Sequence, residues 1–558
     1  MSGKRHYRGL VMTYLAGKPV LILKEGSSRS RDKEARRSNI AAAGIIAEAL
    51  KSTLGPRGMD KMLIDNLGDI TITNDGATIL EDMDLQHPAA KMIREVAKTQ
   101  DKEVGDGTTT AVVLAGEFLL KADELLQMNI HPSTIVGGYN RAMDQAVQIL
   151  EKLGIEVKPD DKETLRKVAM TSMRSKIAGM AREHLSDIAL EAVMQIVEER
   201  DGEKTADIEN IQIVKKEGES VEESKIIRGI IVDKEVVHPG MPKKLTNPKI
   251  ALLDCALEIE KTEIDAEVRI RSPSAIKAFL DQETDILKDM VDKVDKSGAD
   301  VLFCQKGIDD LAQHFLAKEG IMAVRRIKKS DLEKLAKATG GRVVSSLDDL
   351  TAADLGTCEL VEERKVQDEK MVFVEGCKDP RAVAVFLRGG LERMIDEAER
   401  TMKDALSVVS DVIELNKVVP GGGAIEIEVS KELRDYAKKI GGREQYAIDA
   451  FAEALEIVPK TLAANAGLDP LDVIGSLRAA HEKKDGFAMG VNVFKGGIID
   501  MLENGVVEPL VVKTQAIKSA VEAATMILRV DDVIAGKAPE GMGPGPGKMP
   551  GGEDKEEE

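Results

Sequence analysis

Gly105-Asp106-Gly107-Thr108-Thr109-Thr110 stands directly ahead of an apolar repeat, Ala111, Ala115, Phe118, Leu119, Ala122, Leu125 and Leu126, spaced as the wide face of a buried helix. The two glycines allow a tight turn and a close approach of the backbone to a ligand. Three hydroxyls follow, with the free amides of a helix N-terminus, where the helix dipole favours an anion. Asp106, between the glycines, adds the carboxylate that Mg²⁺ on a polyphosphate needs. Asp and Thr also cap helices with no ligand at all, so the hexapeptide alone fits either a phosphate site or a capped helix. No Gly-x4-Gly-Lys-Ser/Thr occurs in the chain, which places any nucleotide binding outside the P-loop class.

Working outward, a second apolar helix is expected past His131-Pro132, running to Leu153, before the polar break Lys158-Pro159-Asp160-Asp161. Upstream, the charged run Arg29–Arg37 reads as the solvated start of a helix carrying Ala43, Ile46, Leu50 and Leu54, and Leu54-Gly55-Pro56-Arg57-Gly58 ends it. The alternating Ile70-Thr71-Ile72-Thr73 reads as a strand closed by an Asn74-Asp75-Gly76 turn. Between Gly229 and Cys377 the texture changes: short β-rich runs (Gly229–Asp233, Ile250–Leu253, Val301–Cys304, Ile321–Val324, Val343–Ser345, Val372–Val374) alternate with helical patterns at 273–297, 308–318 and 330–339, which predicts an α/β domain. Helical texture returns at Leu391 and from Ala424 onward, the latter opened by Pro420-Gly421-Gly422-Gly423. An α/β domain inserted into a helical one built from both ends of the chain accounts for that symmetry. The stretch Gly541–Glu558, rich in Gly and Pro and then acidic, cannot bury a core. MSGKRHYRGLV precedes a second methionine, Met12; the stretch reads as the product of an upstream start codon or as a frayed tail, and carries no assigned role.

Composition narrows the function. The chain of 558 residues is long enough for about three domains of 100–200 residues each. Asp and Glu number 98 against 79 Lys and Arg, a formal charge of −19, and with 3% aromatics and no Trp this argues against nucleic acid as a partner. Cys255, Cys304, Cys358 and Cys377 lie far apart with no Cys-x-x-Cys pair, so neither a zinc site nor a disulfide framework is signalled. No run of eighteen apolar residues occurs, so no membrane partner is expected, and the protein reads as cytoplasmic.

In their order and spacing, Leu54-Gly55-Pro56, Asn74-Asp75-Gly76, Gly105–Thr110 and Gly421–Gly423 resemble the nucleotide-binding domain of chaperonins. Gly58-Met59-Asp60-Lys61-Met62-Leu63, His87-Pro88-Ala89-Ala90-Lys91-Met92, Val301-Leu302-Phe303-Cys304-Gln305-Lys306-Gly307 and Gly505-Val506-Val507-Glu508-Pro509 are similar to the group II branch, that of the archaeal thermosome. The likeness runs from about Leu15 to Ile534. It implies a multidomain α plus α/β chaperonin fold: a helical equatorial ATP-binding domain (1–160 and 419–558), a small intermediate domain (161–228 and 379–418) and an inserted α/β apical domain (229–378) with a helical lid protrusion. It further implies an ATPase that folds non-native client proteins inside two stacked rings of this subunit or its paralogues.

By the same resemblance, Asp106 holds Mg²⁺ and Gly107, Thr108, Thr109 and Thr110 hold the phosphates of ATP. Leu54, Gly55 and Pro56 contact the far side of the triphosphate, with Gly76 beside Asp75. Gly422, Gly423 and Glu508 meet the ribose, Gly490 and Val491 the adenine, and Lys176 the γ-phosphate. Asp404 is the main group orienting the attacking water and Asp75 its partner. Pattern alone makes Asp404 a solvated carboxylate on a helix with the stripe Leu391, Met394, Ala398, Met402, Ala405 and Val409. Arg57 stands where the family commonly has lysine. The protrusion is expected at Glu260–Asp289, with Phe279, Leu280, Leu287 and Met290 on its helix. Helices bearing Leu311, Phe315, Leu332 and Leu335 are expected to touch clients. Two rival functions stay open on the residues alone, a small-molecule phosphotransferase and a scaffold that keeps the fold without turnover.

Overall fold

The computed structural model describes residues 12–15, 18–21, 28–65, 68–175, 180–200, 202–259, 273–378 and 381–535. Lys176 and the segment 260–272 of the expected protrusion lie outside the described residues. Five helices come first: α1 (Asp32–Lys51), α2 (Gly76–Asp82), α3 (Pro88–Val104), α4 (Thr108–Gln127) and α5 (Pro132–Leu153). Next come α6 (Lys162–Ser172) and α7 (Met180–Ile196), then α8 (Pro273–Ser297), α9 (Asp310–Glu319) and α10 (Lys329–Thr339) amid strands. The long α11 (Glu392–Leu415) leads into α12 (Ala424–Ile440), α13 (Gly442–Leu455), α14 (Ile457–Asn465), α15 (Pro470–His481) and α16 (Leu510–Arg529).

The apolar repeat after Thr108 has the consequence its width demands: α4 is buried along most of its length between α1, α3, α13 and α16. Phe118 stacks on Phe451 of α13 with ring centroids 4.4 Å apart, and Tyr139 of α5 meets Phe451 edge-on at 5.7 Å. The Tyr139 hydroxyl donates to the Phe118 carbonyl at 2.8 Å, which satisfies the only polar atom in that cluster of rings. This core joins residues between Ile40 and Leu150 to residues between Val419 and Leu528, so both ends of the chain build it.

A second core, centred on α6, α7 and α11, draws on Val157–Ile211 and Val383–Val418. The third lies wholly between Ile230 and Ala382. There the parallel strands Met322–Val324, Val301–Cys304, Lys249–Leu253 and Val343–Val344 lie side by side, with Gly356–Thr357 antiparallel to Lys249–Leu253. Val301–Cys304 is buried at every position, as a central parallel strand must be. An antiparallel sheet in the order Gly229–Val232, Glu369–Glu375, Leu360–Val366, Lys244–Thr246 adjoins it. A three-stranded sheet connects this body to the second core: Val383–Gly389 pairs with Ile211–Glu217 in parallel and with Lys225–Ile227 antiparallel, Ile227 facing Ala384.

Several local expectations are corrected. Arg29–Arg31 belong to the strand Ser28–Arg31, which pairs with Asp532–Ala535, and the helix begins only at Asp32. That helix stops at Lys51, so Leu54 belongs to the loop. Asn74-Asp75-Gly76 forms no closing turn; Asp75 caps α2 directly, accepting from Thr78 N at 2.9 Å. Leu391, just ahead of α11, and Met394 in its first turn are exposed, whereas Asp404 is buried with only 8% exposure. Leu332 and Leu335 sit in the third core and offer a client nothing, whereas Leu311, Phe279 and Leu280 are exposed.

Candidate functional site

Two helix N-termini converge on one cleft. α4 starts after Gly107 (φ 78°) and α12 after Gly423 (φ 81°), and neither start receives a side-chain cap. Left-handed backbone of this kind favours glycine, and it leaves first-turn amides free for a ligand where Ser or Asn would satisfy them. The surrounding backbone is bare by necessity: a Cβ on Gly423 would fall 2.6 Å from Pro459 Cβ, and one on Gly55 (φ 82°) 2.2 Å from Leu462 Cδ2. Asn465 Nδ2 clamps the Leu54 loop by donating to the carbonyls of Lys51 and Leu54 at 2.9 and 2.8 Å. The cleft encloses about 1170 Å³ outside the atoms, its open mouth included, ample for a nucleotide.

Of the residues expected from sequence, Leu54, Gly55, Pro56, Asp75 and Asp106 line it. So do Gly107, Thr108, Thr109, Thr110, Gly422, Gly423, Val491 and Glu508. Asp106 Oδ1 accepts from Gly107 N at 2.7 Å, and Gln100 Nε2 holds the Asp106 carbonyl at 2.8 Å, so the turn before α4 is tied from both sides. Asp75 Oδ1 accepts from Thr108 Oγ1 at 3.2 Å, linking the cap of α2 to the first residue of α4. Glu508 reaches the glycine run because Val507–Pro509 pairs antiparallel with Lys417–Pro420, Val419 opposite Glu508. A Cβ on Gly421 would meet Glu508 Oε1 at 2.5 Å.

Three expected residues stand back from the cleft wall. Gly76 lies against Thr109, where a Cβ would be 2.8 Å from its hydroxyl. Gly490 packs beneath Val491, and its Cβ would be 2.9 Å from the Gly422 carbonyl. Asp404 does not line the cleft; its helix, α11, passes one side of it, with Ser407 Oγ 2.4 Å from where a Gly105 Cβ would stand. Thr73 Oγ1 donates to Glu397 Oε2 at 3.1 Å and Arg393 to the Ile70 carbonyl, so the first half of α11 is latched to the strand that leads to Asp75.

The structure adds residues that sequence reasoning missed. Lys513 of α16 lines the cleft floor, its ammonium 2.6 Å from Glu508 Oε2 and 2.9 Å from Glu426 Oε1. A lysine within the otherwise apolar face of Leu510, Val512 and Ala516 was the available signal. Burial works against the charged amine, but Glu426 and Glu508 outweigh it and hold Lys513 above the ordinary lysine value. Burial pushes the Glu508 carboxyl up, and Lys513 opposes that. Arg57 lies 5.2 Å from the ring centroid of Phe494, another lining residue, in a cation–π contact at the mouth. Thr171, Ser172, Arg174 and Ser175 form a further wall. Asn74 Oδ1 and Ser172 Oγ are buried there without a hydrogen-bond partner among the described residues.

Uncapped helix starts, a carboxylate beside threonine hydroxyls, and apolar residues at the other end suit a polyanionic ligand with an apolar head. The family model of the TCP-1/cpn60 chaperonins matches residues 46–538, and the chain belongs to that family. It is 60% identical to a thermosome subunit of Pyrococcus horikoshii over 94% of this chain and 95% of that one. It is 58% identical to a thermosome subunit beta of Sulfurisphaera tokodaii, over 98% of this chain and 99% of that one. With a thermosome subunit alpha of Archaeoglobus fulgidus it shares 56% identity over 98% of this chain and the whole of the relative.

Proposed function

We propose that this chain is the subunit of an ATP-driven, group II chaperonin that encloses non-native proteins and lets them fold. The observation that carries the reading is one cleft in a chaperonin-family chain that gathers Asp106, the uncapped start of α4, and Glu508. The three largest apolar cores support a division into an equatorial domain (1–160 and 419–558), an intermediate domain (161–228 and 379–418) and an apical domain (229–378), since each draws almost wholly on one of these sets, with a small cluster of Ile227, Ile231, Met371, Phe373, Ala384 and Phe386 at the junction of the last two.

In this reading Thr108, Thr109, Thr110 and the amides of α4 bind the phosphates, Gly55 and its loop close the opposite side, and Gly422, Gly423 and Glu508 take the ribose. The donor set fits a magnesium ion, since Asp106 offers a hard carboxylate oxygen beside hydroxyl groups. Bound Mg²⁺ would neutralise charge on the phosphates. Asp75 and Asp404 orient the attacking water, and because Asp404 stands on α11 outside the cleft wall, turnover requires α11 to move toward Asp75. Chemistry and domain closure are then one event.

The exposed Phe279 and Leu280 on α8 and Leu311 on α9 present scattered apolar surface that would hold non-native chains without sequence specificity. The alpha and beta names of the relatives support rings of this subunit with itself or with paralogues. No described helix is long and apolar enough to cross a membrane, and a cytoplasmic location fits the reading. Purified chain should release phosphate from ATP with no added metabolite and raise the yield of a denatured client, and negative-stain images should show a double toroid. A particle that stays monomeric and releases no phosphate would overturn the proposal.

A further inference from the structure

We propose that Lys513 and Glu426 are positioning residues for nucleotide selection: together they fix the Glu508 carboxylate so that its free oxygen accepts from a ribose hydroxyl, and the cleft thereby selects ribonucleotides over deoxyribonucleotides. The proposal rests on the reading of Glu508 as the ribose contact and adds what holds that contact in place.

Glu508 lies in the strand Val507–Pro509 and Lys513 in the start of α16 that follows it, with Lys513 Nζ 2.6 Å from Glu508 Oε2. The other oxygen, Oε1, is 2.5 Å from where a Cβ on Gly421 would stand, and it has no hydrogen-bond or ion-pair partner among the described residues. One oxygen of the carboxylate is thus tied, and the other is turned to the glycine run that opens α12. Lys513 is itself held from the opposite side. Its ammonium is 2.9 Å from Oε1 of Glu426, which belongs to the first turn of α12, the helix that starts after Gly423. The three side chains therefore join the strand of Glu508 to the starts of α12 and α16, and Glu508 keeps a fixed place against Gly422 and Gly423.

Folding alone gives little reason for this arrangement. Lys513 and Glu426 are both buried, and the face of α16 around Lys513 is apolar, with Leu510, Val512 and Ala516. Both Glu426 oxygens are shut off from solvent and make no hydrogen bond among the described residues, so the ammonium is the only compensation there for that carboxylate. A cation in the first turn of a helix also meets the positive end of its dipole. Apolar side chains of similar volume commonly serve stability as well as a buried ion pair does, or better. What the pair supplies that apolar packing cannot is direction, because an ammonium held between two carboxylates selects one orientation of Glu508. A carboxylate so oriented makes a charge-assisted hydrogen bond with a hydroxyl. A ligand without that hydroxyl leaves the oxygen desolvated and unpaired, which is how a site built to bond a hydroxyl rejects the analogue lacking it.

Wild type, Lys513→Met, Glu426→Gln and Glu508→Ala, each as the full chain, should be titrated calorimetrically with the Mg complexes of ADP, 2′-deoxy-ADP and 3′-deoxy-ADP. The quantity read is the ratio of affinities for ADP and for the weaker deoxy analogue, which a merely structural role leaves unchanged in the folded protein. We expect wild type to favour ADP by about tenfold or more, and Lys513→Met to bring the ratio to about threefold or less by weakening ADP while binding of the deoxy analogue holds. Glu426→Gln should lower the ratio by a smaller factor, and it carries the test if Lys513→Met does not fold. In the Glu508→Ala background neither substitution should change the ratio further, because both act through the carboxylate. A further fall there would show that Lys513 meets the sugar itself and would overturn the positioning role. A wild-type ratio kept by the folded variants overturns the proposal and leaves the ribose reading standing. A wild type that binds ADP and both deoxy analogues alike overturns the ribose reading with it, and one that binds none of them overturns the nucleotide reading as a whole.

Discussion

Lys513 Nζ bridges the half-buried Glu508 and the buried Glu426, 2.6 Å from Glu508 Oε2 and 2.9 Å from Glu426 Oε1. Lys513→Met strips both of their counter-charge and should cost about 3–5 kcal/mol of stability at neutral pH, read by chemical denaturation. The sign with pH follows from Glu508, whose carboxyl is already raised by burial and which Lys513 opposes. A carboxyl raised in the folded state loses stability as pH climbs from about 4.3 through its folded value. The deficit of the variant should therefore be widest at pH 7 and narrow toward pH 4; a deficit independent of pH would contradict the bridge.

Asp404→Ala should leave Mg-ATP binding intact, because Asp404 stands outside the cleft wall, and should reduce phosphate release by roughly 10²–10⁴. Equilibrium binding and steady-state turnover, measured on the same preparation, check both halves. Turnover unchanged in this variant removes Asp404 from the reaction.

Asp106→Ala should act at the earlier step. It removes the proposed metal carboxylate and the 2.7 Å acceptor of Gly107 N, so Mg-ATP binding should weaken by about tenfold or more. A chelator should weaken ATP binding by the wild type and make little difference to the variant, as isothermal titration with and without EDTA would show.

Glu456 gives an acid-side test far from the cleft. It is fully buried, and burial alone would raise its carboxyl, but Arg478 and Arg434, each with a nitrogen 2.6 Å away, hold it below the ordinary glutamate value. A lowered carboxyl contributes stability above its unfolded value of about 4.3 and loses it as pH falls through the folded one. Glu456→Gln should cost about 1.5–3 kcal/mol at pH 7, since both arginines are partly exposed, and the gap to wild type should close below pH 4 in acid titrations followed by circular dichroism.

Local grammar was the legible part of the chain. Thr108 and Pro132 open α4 and α5 where Gly107 and His131-Pro132 predict, and the strand Val301–Cys304 and the helix Pro273–Ser297 have the expected bounds. Features decided by distant packing were not. Asp404 reads as a surface charge because its helix repeat is ambiguous, and only the neighbours of α11, far away in sequence, bury it. Lys513 stands out locally only as a lysine in an apolar helix face, and its partner Glu426 is 87 residues away, so the sequence does not announce that pair. Arg174 is silent for the same reason, its setting made by the loop of Asn74 and the strand of Val507.

The three-stranded sheet under the α/β body has a mechanical consequence. The chain enters that body after Ile227 and comes back at Ala384, and these two residues face each other across an antiparallel pair. A load on a single tether would let the body spin. Here twist about the long axis would have to shear Ile227 from Ala384, whereas bending both strands together across the sheet breaks no pairing. That pairing therefore resists swivel of the body more than it resists tilt across the sheet.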